Sequence, residues 1–167
     1  MPASLTFAVL QLEQLQPALH AHYAKLQEPA PKFSMEPKRP DRAGVYVWCA
    51  GAEQAVAYIG SASSLRRRLR DEHRWIDAHE PETGWAPSVV HTLKQLEAVP
   101  HWILTGTHEQ AKLLERRLIE WHRVTVGCAP LLVGWDPKAD SDQGRALTWA
   151  QEVWKTDPDR YRSWDQA

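Results

Sequence analysis

The sequence predicts a mixed α/β (α+β) fold, in which a small three-stranded antiparallel sheet is flanked by helices and helical extensions lie at both ends. Two segments rich in β-branched and aromatic residues, GVYVWC (44–49) and AVAYIG (55–60), are separated by AGAEQ and so predict a β-hairpin. A similar segment, VPHWILTG (99–106), predicts the third strand. Helical patterns of apolar residues surround these strands.

The chain divides into three parts by composition. A loosely helical apolar pattern at 5–26 is followed by a stretch at 28–44 that holds four prolines, which predicts a helical arm and a linker or extended wrap over 1–43. The predicted sheet and its helices occupy 44–134. The remainder, 135–167, predicts an acidic tail with one more helix at about 145–155.

The first helix of the domain is expected at about 65–78. Ser63 or Ser64 is the candidate N-cap, and Leu65, Leu69 and Ile76 are spaced as one apolar face. A short helix is expected next, at 89–96.

A longer helix is expected from about residue 110. Thr107 with Gln110 three positions later forms a capping box, which typically begins a helix. Its apolar positions then recur on one face, at Ala111, Leu114, Leu118 and Trp121.

Charge argues against non-specific coating of nucleic acid, because 20 Lys and Arg face 21 Asp and Glu, a formal net charge of −1. The basic residues are locally concentrated, however, with five arginines within 65–75: Arg66, Arg67, Arg68, Arg70 and Arg74. We expect a cytoplasmic protein without a membrane span, since no apolar stretch approaches the required length and the first residues lack a basic leader pattern.

The hairpin predicts a pair of phenols on one face of the sheet. In a tight hairpin centred on Ala52, Tyr46 lies opposite Tyr58, and any even-numbered shift of register keeps both on the same face. Ten residues after Tyr58, Arg68 lies beside the apolar stripe of the next helix and can reach over the sheet. Glu115 has apolar neighbours one turn away on both sides, so its carboxylate is expected to be partly buried and to need a cation.

These segments together resemble the GIY-YIG nuclease family. GVY at 44–46 and YIG at 58–60 are similar to the two name motifs, with eleven residues between the tyrosines. SASSLRRRL and AKLLERRLIEWHR are similar to the family's arginine-bearing segment and its metal-binding helix. The resemblance covers roughly 44–134.

The resemblance implies hydrolysis of phosphodiester bonds in DNA with one divalent metal, Mg²⁺ or Mn²⁺. On it, Tyr46 is the expected general base and Tyr58 its partner, Arg68 would hold the scissile phosphate, and Glu115 would ligate the metal. The basic residues expected to contact nucleic acid are Arg66, Arg67 and Arg70.

Two departures from the family pattern leave a second function open. Where the family often has His or Tyr, fourteen residues after the second Tyr, this chain has Glu72, and His73 follows as a candidate catalytic residue. Glu72 can also pair with Arg68 and oppose phosphate binding. The chain contains no Asn, although the family often has one after the metal helix. The alternative is therefore a nucleic-acid-binding or protein-interaction module with weakened catalysis.

Overall fold

A β-hairpin and a third strand form the predicted sheet. The computed structural model describes residues 10–77, 85–126, 129–130 and 132. β1 (Gly44–Ala50) pairs antiparallel with β2 (Ala55–Ala62) on one side and with β3 (Val99–Leu104) on the other, in the order β2-β1-β3. The α+β class predicted from the sequence is confirmed.

The register of the hairpin differs from the predicted one. Tyr46 pairs with Gly60 and Tyr58 with Trp48, so the two tyrosines are not directly opposite each other. The turn is longer than a tight hairpin allows, and a register shift after Trp48 offsets the strands further. Because the offset from the predicted pairing is even, both tyrosines still lie on the same face.

Helices cover both faces of the sheet. A short 3₁₀ turn (Leu12–Leu15) leads into α1 (Gln16–Lys25), and the others are α2 (Leu65–Asp77), α3 (Trp85–Gln95) and α4 (His108–Val126). The predicted helix at 145–155 lies outside the described residues.

Local capping explains where two of these helices begin. The backbone N–H of Arg67 donates to Ser64 Oγ (3.2 Å), which makes Ser64 the cap of α2. Thr107 and Gln110 form both hydrogen bonds of a capping box at the start of α4. α3 begins four residues before its predicted start at 89.

Alternation along the strands creates two cores. Val45 and Val47 of β1 face a core shared with α1 and α4, in which Leu114 and Leu118 are fully buried. Tyr46 of β1 faces the other core, together with Trp48, Tyr58, Trp102, Leu65, Leu69 and Leu93. Tyr46 and Tyr58 therefore lie on the α2 and α3 side of the sheet.

The residues before β1 pack against the sheet. The backbone N–H of Val56 donates to Leu10 O (2.8 Å), and Ser34 pairs with Trp102 of β3 through two backbone hydrogen bonds of 2.9 Å. No described helix combines the length and the apolar composition that crossing a membrane requires.

Candidate active site

The two phenols lie side by side on β1 and β2. The rings of Tyr46 and Tyr58 are 6.1 Å apart between centroids and inclined by 30°. Tyr46 fits there because its cross-strand partner is Gly60: a Cβ at Gly60 would come within 2.5 Å of the Tyr46 ring. The exposed fraction is 1% for Tyr46 and 9% for Tyr58, so both phenols are removed from water.

Arg68 reaches Tyr46 from the first turns of α2. Its Nε donates to Tyr46 Oη (3.1 Å) and to Glu72 Oε1 (2.8 Å). Burial disfavours the charged guanidinium, but Tyr46 and Glu72 together outweigh this and raise the pKa of Arg68. Arg68 is therefore a permanent cation beside the phenol.

Glu72 is the buried anion of the site, with only 1% of the residue exposed. Its carboxylate accepts from Trp48 Nε1 (2.8 Å) as well as from Arg68 Nε. Burial raises the pKa of Glu72, whereas Arg68 and the hydrogen bonds oppose that rise. Glu72 therefore forms the ion pair with Arg68 that the sequence suggested, and the Glu72 carboxylate is the buried member of the pair.

Burial raises the pKa of both phenols, and the charge of Glu72 raises them further. Arg68 acts in the opposite direction on both, and a hydrogen bond with Tyr46 also lowers the pKa of Tyr58. Tyr46 and Tyr58 are therefore protonated at neutral pH.

His73 lies on the same side of the sheet. Its ring packs edge-on against Trp48, with centroids 6.0 Å apart and planes inclined by 62°. This contact places the imidazole next to the indole that holds Glu72. A catalytic role for His73 stays a prediction.

The other predicted arginines project from the exposed surface of α2. Arg66 Nε donates to the backbone oxygen of Arg39 (3.2 Å), and Arg70 Nε lies 3.9 Å from Asp71 Oδ1. Arg67 is also exposed. Contact of Arg66, Arg67 and Arg70 with nucleic acid stays a prediction.

Glu115 approaches the end of β2 from α4. Its carboxylate Oε2 accepts from Ser61 Oγ. Burial raises the pKa of Glu115, and the opposing contributions include the Ser61 hydrogen bond and the charge of His108. The charge of Glu115 in turn raises the pKa of Tyr58, so the carboxylate lies within electrostatic reach of that phenol.

A pocket of about 270 Å³ lies between α2 and the start of α4. Its lining is polar and includes Ser61, Ser63, Ser64, Arg67, Arg68, Asp71 and His108. Neither Ser61 nor His108 is among the site residues that the sequence predicts. The sequence does contain a signal for Ser61, because this residue directly follows the glycine of YIG at the end of a predicted strand.

Known proteins are similar to parts of this chain. No family model matches the chain. Over 84 residues, 50% of this chain, it is 37% identical to the UvrABC system protein C of Moorella thermoacetica, and the match spans 12% of that relative. A solved structure of the GIY-YIG N-terminal endonuclease domain of UvrC from Thermotoga maritima, bound to magnesium, is 20% identical, with a TM-score of 0.40, covering 68% of this chain and 94% of that one.

The chain contains a GIY-YIG-like domain. In this domain GVY lies in β1 and YIG in β2, and the two motifs are adjacent because β1 and β2 pair along their length.

The donor set of the GIY-YIG-like domain suits a hard cation. Mg²⁺ is commonly bound by one or two carboxylates, with waters and substrate phosphates as the remaining ligands. Glu115 offers a half-buried carboxylate and Ser61 a hydroxyl oxygen beside it. Among the described residues no group of three or more His, Cys, Asp or Glu could hold a metal ion, so an ion at Glu115 would depend on water and substrate oxygens.

Proposed function

We propose that the GIY-YIG-like domain is a metal-dependent endonuclease that hydrolyses phosphodiester bonds in DNA. One observation carries the proposal: Tyr46, Tyr58 and Arg68 meet on one face of the sheet, with Glu115 within electrostatic reach of Tyr58 at the end of β2. The similarity to the UvrABC system protein C of Moorella thermoacetica supports it over the half of this chain that the match covers.

Arg68 would hold the scissile phosphate. Its guanidinium stays charged, and it lines the polar pocket together with Arg67. A guanidinium suits phosphate oxygens because its N–H groups form a rigid fork. To bind a phosphate, Arg68 would have to contact the substrate while it still pairs with Glu72.

Tyr46 would take the proton from the attacking water, with Tyr58 as its hydrogen-bonding partner. The positive charge of Arg68, whose Nε already donates to Tyr46 Oη, stabilises the phenolate that must form before this step, and the step itself returns Tyr46 to the neutral phenol. Because burial and Glu72 raise the pKa of Tyr46, the step is slow at neutral pH and faster at alkaline pH.

Glu115, with Ser61 beside it, would hold the Mg²⁺ or Mn²⁺ ion. A divalent ion supplies charge neutralisation at the phosphate and stabilises the leaving oxygen. The hydrogen bond from Ser61 keeps the Glu115 carboxylate oriented before any ion binds.

A second function, nucleic-acid binding without efficient cleavage, is favoured by the Glu72 carboxylate. It accepts from the Nε of Arg68 and raises the pKa of both phenols, and each effect opposes catalysis. The two functions share the same surface and differ in turnover.

The deciding experiment incubates the purified protein with supercoiled plasmid, single-stranded DNA and RNA, each with Mg²⁺, Mn²⁺ or chelator. The nuclease proposal expects nicking of DNA that requires metal and is lost in Glu115→Gln. Binding to the same substrates without cleavage in any metal would favour the second function instead.

A further inference from the structure

The segment 36–43, here called the strap, is held across the tyrosine side of the sheet by hydrogen bonds to its backbone oxygens. Trp102 Nε1 of β3 donates to Glu36 O (3.3 Å), and the N–H of Leu65 in α2 donates to Arg42 O (2.9 Å). Further hydrogen bonds to strap oxygens come from Arg66 N, Arg66 Nε and Thr105 N. The strap thus spans from β3 to the first turn of α2.

The strap carries three cations to this surface. Lys38 and Arg42 are exposed, and Arg39 is half-buried. Among the described residues the buried Nε of Arg39 has no hydrogen-bond partner. A buried polar nitrogen without an acceptor costs free energy, so this guanidinium is suited to an acceptor that arrives from outside.

Arg39 also lies within electrostatic reach of the catalytic side. Burial lowers the pKa of Arg39, and the charge of Glu72 opposes that fall. Glu72 is the carboxylate that pairs with Arg68. The strap therefore brings a second guanidinium towards the ion pair that the proposed function places at the scissile phosphate.

Strap and α2 together form a strongly basic surface. Residues 36–43 and 64–70 contain seven Lys or Arg against two acidic residues, in a chain whose total charge is −1. Asp41, one of the two acids, accepts from Ser64 Oγ. Such local charge fits a partner with regularly spaced negative groups.

We propose that the strap is part of the nucleic-acid-binding surface, and that Lys38, Arg39 and Arg42 bind backbone phosphates of the strand that enters the pocket. This inference rests on the proposed function and extends it beyond α2. Phosphate oxygens would pair with the half-buried guanidinium of Arg39, and the exposed Lys38 and Arg42 would pair with flanking phosphates. Contacts of this kind depend on the charge and spacing of the phosphates and do not distinguish one base sequence from another.

The test measures binding of the full chain to a short fluorescent DNA duplex in chelator, across a titration of KCl. The variant replaces three cations at once: Lys38→Gln, Arg39→Gln and Arg42→Gln. Its matched control neutralises three exposed lysines elsewhere: Lys25→Gln, Lys32→Gln and Lys94→Gln. Each lost phosphate contact lowers the slope of log affinity against log salt by about 0.9, so the strap variant should lose about 2.7 and the control much less.

Unchanged slopes in the strap variant, or equal losses in variant and control, would overturn the inference. If the triple variant fails to fold, the exposed pair Lys38→Gln with Arg42→Gln is measured instead, with an expected slope change of about 1.8. Nicking in Mg²⁺ is scored separately. If the strap variant binds DNA more weakly but the parent does not nick DNA, the strap inference is retained and the nuclease proposal is rejected. If the parent nicks DNA but the strap variant binds as the parent does, the nuclease proposal is retained and the strap inference is rejected.

Discussion

Arg68 and Glu72 form an ion pair one turn apart on α2, with 2.8 Å between Arg68 Nε and Glu72 Oε1. The pair is asymmetric: the Glu72 side chain is 2% exposed, whereas that of Arg68 is 32% exposed. The anion is thus fixed in the core while the cation faces the pocket. Glu72 consequently sets the position of Arg68 and, through its charge, the pKa of Tyr46.

Truncating Glu72 should destabilise the fold. Glu72→Ala removes the acceptor of the buried Trp48 indole N–H and leaves a cavity under α2, so we expect a loss of about 2–4 kcal/mol in unfolding free energy. Urea unfolding measures it. Asp71→Ala, at the neighbouring and more exposed carboxylate, should change stability by no more than about 0.5 kcal/mol. Equal effects of the two variants would contradict the buried role of Glu72.

Neutralising Glu72 without changing its shape should change the pH dependence of cleavage. Since the charge of Glu72 raises the pKa of Tyr46, Glu72→Gln should lower that pKa, move the alkaline rise of the nicking rate to lower pH, and strengthen DNA binding. A pH–rate profile in Mg²⁺ tests this. Glu53→Gln, an exposed carboxylate in the hairpin turn, is the control for net charge. Loss of nicking in folded Glu72→Gln would show that the carboxylate itself takes part.

The elements of the fold follow from local sequence signals, but the position of Glu72 depends on distant contacts. The hairpin and the Thr107–Gln110 capping box were predicted because their signals lie within a few residues. The hairpin register was wrong because the turn length and the bulge after Trp48 determine it. Trp48, the indole partner of Glu72, lies 24 residues away in sequence.

One available signal could have revealed the burial of Glu72. It follows Leu65 by seven residues and Leu69 by three, a spacing that places it on the apolar face of α2. The path of the strap had no such signal. Its backbone oxygens accept hydrogen bonds from the indole of Trp102 and the N–H of Leu65, and accepting backbone oxygens leave no pattern in the sequence.

Removing one hydroxyl from the tyrosine pair should separate chemistry from packing. Tyr46→Phe keeps the ring beside Tyr58 and deletes the oxygen that accepts from Arg68, so nicking should fall about 10²–10⁴-fold if Tyr46 is the base. Tyr58→Phe should reduce the rate less. The measurement is the single-turnover nicking rate of each variant, at protein concentrations that saturate the DNA, so that differences in DNA affinity do not affect the rate. The reverse ranking would assign the base to Tyr58, and full activity in both would move the chemistry elsewhere.

Glu115→Gln should abolish metal-dependent nicking yet raise thermal stability at neutral pH in chelator. Burial raises the pKa of Glu115 above its ordinary value of 4.5, so the folded protein binds that proton more readily than the unfolded chain does. Ionisation of Glu115 therefore costs stability progressively as the pH rises above the ordinary pKa, and in full above the raised one, and Gln, which still accepts from Ser61 Oγ, avoids that cost. The gain in melting temperature should shrink as the pH falls through the raised pKa and vanish below the ordinary one.

The same variant tests the metal independently of cleavage. Mg²⁺ or Mn²⁺ bound at Glu115 would stabilise the folded parent by mass action, so its melting temperature should rise with metal concentration, while that of Glu115→Gln should not. Glu109→Gln, an exposed carboxylate in the first turn of the same helix, is the control and should respond to metal as the parent does. If all three proteins respond equally, the metal does not bind at Glu115, because the variant lacks the carboxylate that the site requires.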